Sequence, residues 1–299
     1  MKHLSTQPLV ILTLAMLAGS ANQVVGRAAA GEIPPLTLSF WRWTVALVVL
    51  LPIAAPALWR ARKELQRHWK LVVALGATAI AAFNSVLYLG LEHTTAINGS
   101  LVLAAIPLVT VVLSWLVMGQ RASATMLAGV AVGFVGVIVI VSRGRLETLA
   151  EFSFNRGDLL VFVAVLCWSL YGILLARLPR GLDPLALLLA TVVLGVAIIA
   201  PFYAWEASER SMTLTTMGVV GILYVGVIAS VLGFGLWNRG VALAGANAAS
   251  QFVYLQPVFG GFWAIVLLGE PVEPYHAGIL LIFLGIFLAT RRRHAVAPS

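Results

Sequence analysis

The sequence predicts an all-α integral membrane protein: ten transmembrane helices forming two inverted five-helix repeats around a central cavity. Three observations lead there. Apolar runs of spanning length follow one another along the chain, basic residues crowd onto one side of the resulting topology, and the second half repeats landmarks of the first. Of the 299 residues, 61% are hydrophobic and only 10% charged, with a mean hydropathy of +1.00. That is too little charge to coat a soluble fold of this length.

The apolar runs lie at about 9–27, 36–57, 70–91, 95–118, 124–141, 158–177, 184–205, 213–237, 245–268 and 275–290. Each is near the roughly 17–25 residues a helix needs to cross hydrocarbon. Barrel strands would alternate with a period of two. The first run has the basic front and small-residue end of a signal peptide, but its match inside the chain makes it a span. The second, PPLTLSFWRWTVALVVLLP, carries Arg42 about six residues into apolar sequence. In the third, Asn84 and Tyr88 are four apart. The fourth opens at Asn98 and contains Pro107, and the fifth has Gly129, Gly133 and Gly136, small residues that permit close helix contact. Cys167, the only cysteine, lies in the sixth span beside Trp168, Ser169 and Tyr171, so no disulfide framework exists. The eighth span ends in Trp237 and Asn238. In the ninth, Asn247, Gln251 and Tyr254 share one helix face, followed by Pro257. Gly278 and Gly285 mark the tenth.

Charge sets the orientation. With the amino terminus in the cytoplasm, thirteen of the nineteen Lys and Arg residues fall on the inner side and five on the outer, Arg42 being the remaining one. The bias is strongest in WRARKELQRHWK and RRRH. It predicts a multi-pass protein of the cell inner (plasma) membrane with both termini cytoplasmic. The net charge of +8 is then topogenic charge beside anionic lipid, and nucleic acid is not an expected partner. The expected partners are the lipid bilayer and a small-molecule substrate, with monomer or dimer left open.

The duplication has an odd period. NGSLVLAAIPLVTVVLSWLVMGQ aligns with AASQFVYLQPVFGGFWAIVLLGE, matching Ser100 with Ser250, Pro107 with Pro257 and Gly119 with Gly269. Outside that block the offset is one shorter: Ser20 with Ser169, Pro35 with Pro184, Gly129 with Gly278, Gly136 with Gly285. Five spans per half make the second half enter from the opposite side, so the halves are related by a two-fold axis in the membrane plane. Two such bundles can open a shared cavity to one side and then the other.

The stretches PLTLSFWRW, YLGLEHTTAINGSLVLAAIPLVTVVLSWLVMGQ and GANAASQFVYLQPVFGGFWAIVLLGEPVEPYHAGILLIFLGIFL resemble the EamA branch of the drug/metabolite transporter superfamily over nearly the whole chain. The first copy of the Gly-Glu/Gln landmark ends in Gln120, where Glu is commoner in the family; Glu270 keeps it. The resemblance implies five-helix EamA repeats at 1–145 and 146–299. It also implies a secondary transporter that exports a small metabolite such as an amino acid through a central cavity. An uptake permease on the same fold, or a non-transporting membrane sensor or scaffold, remains open.

The residues themselves point away from an enzyme. No Walker loop, paired metal-ligand histidines or nucleophile elbow is present, and no cofactor is expected. The carboxylates fall in loops or at span ends, so a proton-coupled exporter of cations lacks its mid-membrane acid. Coupling, if any, would use Glu92, Asp158 or Glu270. The candidate substrate-binding residues are Ser20, Gln23, Arg42, Asn84, Tyr88, Asn98, Trp168, Tyr171, Trp237, Asn238, Asn247, Gln251 and Tyr254, with Pro107 and Pro257 as hinges. Apart from Arg42 these are amides, hydroxyls and aromatics, which suit a neutral or zwitterionic ligand in an uncharged hollow. The same residues serve equally as hydrogen-bonding glue between helices. Arg42 also has two readings. It is an anchor snorkelling outward or tied to Glu32 or Glu92, or a bidentate clamp for a substrate carboxylate. Its counterpart in the second half is Thr191, so the charge is not part of the shared scaffold.

Overall fold

The computed structural model describes residues 6–20, 22, 25, 32–150, 153–179, 181–268 and 273–290. Among them the chain is helical, with no strand. The segments are α1 (Thr6–Gly19), α2 (Pro35–Arg67), α3 (Trp69–His93), α4 (Ile97–Met118), α5 (Ala124–Val141), α6 (Arg156–Leu175), α7 (Pro184–Glu209), α8 (Thr216–Ala244), α9 (246–268) and α10 (Pro274–Thr290). Seven of these, α2 to α8, are long and apolar enough to cross a membrane. The runs read from sequence as the first, ninth and tenth spans fall short of that length as continuous helix. A 3-10 turn, Gln251–Tyr254, interrupts α9, and another, Pro274–Ala277, opens α10.

Local chemistry sets the helix ends. Pro35, Pro107 and Pro184 stand in the first turn of a helix, where the missing N–H is not needed. Ser123, Thr215 and Asp183 accept backbone N–H bonds as caps of α5, α8 and α7, while Asn155 and Asp158 form a reciprocal capping box on α6. Gly119 ends α4 at φ +65, a left-handed turn that favours glycine. At 33 residues, α2 runs about 50 Å, longer than the ~30 Å hydrocarbon. Its last turns carry Arg60, Arg62, Lys63 and Arg67 beyond that depth.

Two features recur at the repeat offset. α3 and α8 each contain a π-helical stretch, Gly76–Phe83 and Tyr224–Gly233. Both prolines named as hinges follow a break. α4 is interrupted at Ala104 and Ala105 just before Pro107, and Pro257 follows the 3-10 turn in α9.

Inter-helix contacts also recur with their partners exchanged. A Cβ on Gly76 of α3 would sit 3.0 Å from Thr191 O and 3.2 Å from Leu194 Cβ of α7. On Gly226 of α8 it would sit 3.0 Å from Arg42 O and 2.8 Å from Val45 Cβ of α2. Between α5 and α10, Gly136 packs on Gly278 and Gly129 on Gly285. Shifting each number by the repeat offset turns one contact of each pair into the other.

Candidate functional site

The site grows from the two π-helical stretches. A π turn widens the helix and loosens its carbonyls, and in both copies a polar side chain bonds the carbonyl five residues back. Asn84 Nδ2 donates to Ala79 O at 3.3 Å, and Ser230 Oγ donates to Val225 O at 2.7 Å. Both side chains are thereby fixed as acceptors for one donor, Arg42. Its Nε donates to Ser230 Oγ at 2.7 Å. Its Nη1 donates to Asn22 Oδ1 at 2.5 Å, Asn84 Oδ1 at 2.6 Å and Tyr88 Oη at 2.8 Å. Tyr88 in turn donates to Asn22 Oδ1 at 2.6 Å. The guanidinium also lies 5.0 Å from the Trp43 ring centroid and 5.9 Å from that of Phe234, a cation–π arrangement.

Arg42 is 1% exposed, which corrects the anchor reading. It does not reach outward, and neither acid proposed as its tie is its partner. Glu92 pairs with Arg210 at 2.8 and 3.2 Å, and Glu32 accepts from Thr215 Oγ1 at 2.9 Å. The Glu92 bond also holds the Arg210 guanidinium above its ordinary pKa. No carboxylate among the described residues pairs with Arg42.

Beside Arg42 is a cavity of about 50 Å³. Its walls come from α1, α2, α3, α4, α6, α8 and α9, so both halves contribute. The expectation of an uncharged hollow is corrected, because the guanidinium forms part of the wall. Aromatic rings make much of the rest. Trp168 lies 4.6 Å from Phe83, 5.3 Å from Phe234 and 5.1 Å from Trp237, centroid to centroid.

Towards the face where α2 ends in its basic turns, a second space of about 340 Å³ opens. It lies between the ends of α4 and α6, the start of α7 and the turn joining α8 to α9. Asn238 stands on its wall while its neighbour Trp237 stands on the central cavity, so the same turn of α8 borders both spaces. Tyr171 donates to Asn238 Oδ1. This pair matches Asn22 and Tyr88 at the repeat offset with the residue types exchanged. On the opposite face Glu92 pairs with Arg210 and the Glu32 carbonyl accepts from Thr213 N at 2.9 Å, while a space of about 650 Å³ opens beside Arg143, Arg145 and Tyr275. Just below, the buried Glu206 of α7 accepts from Leu36 N, Thr37 N and Thr37 Oγ1, capping α2 from another helix.

The remaining candidates are dispersed. Ser20 donates to Leu17 O and accepts from Trp263 Nε1 at 3.1 Å. Asn98 belongs to a box at the start of α6, donating to Asp158 Oδ2 at 3.2 Å while Thr94 donates to Oδ1. Asp158 is fully buried there as a cap, not open at a cavity mouth. Asn247 accepts from Ser114 Oγ at 2.8 Å, Gln251 donates to Asn247 O at 3.4 Å, and Tyr254 donates to Val130 O at 3.2 Å against Gly133. This polar face of α9 turns towards α4 and α5. Gln23 and Glu270 lie outside the described residues. Sequence reasoning passed over Asn22 as a site residue and missed Ser230, Phe83 and Phe234. Asn22 and Phe234 carried a signal, since they stand at the repeat positions of Tyr171 and Asn84, whereas the apolar Phe83 carried none. No group of three or more His, Cys, Asp or Glu among the described residues is placed to hold a metal ion.

Comparison with known proteins agrees with this architecture. The EamA-like transporter family model matches residues 7–142 and again 155–291. The uncharacterized transporter YyaM of Bacillus subtilis (strain 168) is 27% identical over 97% of this chain and 95% of its own length. A probable terminal-alkyne amino-acid exporter of Streptantibioticus cattleyicolor is 29% identical over 85% of this chain and 84% of its own. A probable amino-acid metabolite efflux pump of Salmonella typhimurium is 26% identical over 92% of each. A solved crystal structure superposes with a TM-score of 0.78 at 20% identity, covering 95% of this chain and 96% of the other. With its family model matched twice and nearly end to end, the chain belongs to the EamA-like transporter family.

Proposed function

We propose that this transporter is a secondary exporter of a small carboxylate-bearing metabolite, an amino acid or a related compound, working by alternating access. In this reading ten spans form two inverted repeats, 1–145 and 146–299, in the inner membrane with both termini cytoplasmic. The observation that carries it is Arg42. A buried guanidinium on the wall of a cavity shared by the two halves is the recognition group that such a substrate needs. The partner-exchanged contacts Gly76/Gly226, Gly136–Gly278/Gly129–Gly285 and Tyr88–Asn22/Asn238–Tyr171 support the inverted repeat, because a two-fold axis interchanges partners in this way. Export is supported by the named activities of the exporter and efflux-pump relatives.

Alternating access is supported by a small central hollow that adjoins a larger space behind Asn238. The central hollow of about 50 Å³ is well below the ~300–1,000 Å³ of a ligand pocket, while the space behind Asn238 reaches that range at about 340 Å³. Substrate would enter behind Asn238, the septum of Tyr171 and Asn238 would part, and the ties at Glu92–Arg210 would release on the other face. Pro107 and Pro257 stand where α4 and α9 are already broken and can swing. The polar face of α9 meets α4 and α5 of its own bundle, which leaves little for the partner helix that a scaffold would require. The test is efflux of labelled amino acids and of the corresponding carboxylic acids without the amino group, from preloaded cells expressing wild type or Trp168→Ala. Identical efflux from both strains and from cells lacking the protein refutes the reading.

A further inference from the structure

The geometry points to a net anion as the cargo: an organic monocarboxylate with an apolar body and no free ammonium group. This rests on the central cavity being the substrate site, as proposed above, and narrows its chemistry. Among buried side-chain polar atoms of the described residues, five have no hydrogen-bond partner. Four are donors: the Nε1 atoms of Trp43, Trp168 and Trp237, and Nδ2 of Asn238. Two of them, on Trp168 and Trp237, belong to residues of the cavity wall, and the other two belong to neighbours of that wall. Asn238 lies on the vestibule wall, Trp237 and Trp168 on the cavity wall, and Trp43 adjoins Arg42. The fifth, Gln251 Oε1, is the only acceptor and is not on the cavity wall.

Charge follows the same sign. The Arg42 guanidinium donates to four side chains, all of them neutral. Glu92, Glu206 and Asp158 are committed elsewhere: Glu92 to Arg210, Glu206 to the start of α2, and Asp158 to its capping box. A buried charge without a counter-charge is costly, and so is each buried donor without an acceptor. A carboxylate entering this cavity removes both penalties together. An ammonium removes neither and adds a like charge beside Arg42. The rings of Phe83, Trp168, Phe234 and Trp237 supply apolar wall for the remainder of the ligand.

The test uses the full-length protein purified into lipid nanodiscs and four probes sharing one ring and chain: 3-phenylpropionate, 3-phenylpropionamide, phenylalanine and 3-phenylpropylamine. Binding is read by tryptophan fluorescence and calorimetry. The acid binds about 10-fold or more tighter than each of the others, the span expected of a hydrogen-bonded charge. Arg42→Lys, which keeps the charge but loses the fork, weakens acid binding by about 10-fold. Trp168→Phe, which keeps the ring and removes one donor, weakens it about 2- to 10-fold, so a folding defect in the Lys variant does not decide the matter. Failure of the acid to bind overturns the inference, as does equal or tighter binding of the amide or phenylalanine. Flux is measured separately in proteoliposomes. Transport that ignores ligand charge refutes the anion and leaves the transporter, whereas acid binding with no flux refutes the transporter and leaves the anion site.

Discussion

Replacing Gly285 with alanine is the sharpest test of how the two halves meet. The added Cβ would lie 2.6 Å from Gly133 N, 2.7 Å from Gly129 O and 2.7 Å from Gly133 Cα, whereas ordinary contact begins at 3.4 Å. Every obstacle is backbone, so no rotamer change relieves it, and α10 must retreat from α5 by roughly 0.8 Å. Overpacking of this kind costs about 1–3 kcal/mol. At about 2–4 °C per kcal/mol, the melting temperature of purified protein falls by roughly 2–12 °C. Gly136→Ala, at the repeat position of Gly285, meets Gly278 O at 2.8 Å and loses a comparable amount. Combining the two costs less than their sum, because one separation of the helices relieves both clashes. Gly260→Ala, with no atom within 4 Å of the new Cβ, melts at or above wild type. A Gly285→Ala protein that melts with wild type while Gly136→Ala collapses would refute both the close packing and the symmetry of the contact.

Other perturbations read other parts of the bundle. Glu206→Gln removes the charge that caps α2 from α7 and lowers stability by about 1 kcal/mol in thermal melts, against no change if the cap is incidental. A double-mutant cycle on Glu92 and Arg210, the pair joining the end of α3 to the end of α7, yields about 0.2–1 kcal/mol that shrinks in high salt. A coupling insensitive to salt contradicts its exposed position. Tyr254→Phe loses only the bond to Val130 O, so stability drops by about 0.5–1.5 kcal/mol while efflux persists. Loss of efflux at unchanged melting temperature would put Tyr254 on the transport route instead of the α5 contact.

Some of the site was readable in advance and some was not, for identifiable reasons. Asn84 and Tyr88, four apart, announced a shared polar face, and they do act together on Arg42. By the same spacing, Asn247, Gln251 and Tyr254 announced another, but a 3-10 turn begins at Gln251. A 3-10 turn re-aims successive side chains relative to an α-helix, and this group meets Ser114 and Val130 instead of the cavity. The π-helical stretches in α3 and α8 were invisible to apolar periodicity. So was Phe234, whose ring stands between Arg42 and Trp168.

Sequence by itself determined that the chain is helical and apolar enough to cross a membrane repeatedly, and which family it belongs to. Those properties are local, because in hydrocarbon each segment must satisfy its own backbone hydrogen bonds, and run length and composition record that need. Only the tertiary structure decided the environment of Arg42. Its partners are 20, 42, 46 and 188 residues away, brought together by helix rotation, two π turns and glycine contacts between backbones. No local pattern encodes such distances, so the same arginine read as an anchor in one dimension and, in three, as a buried cation with no acid partner among the described residues.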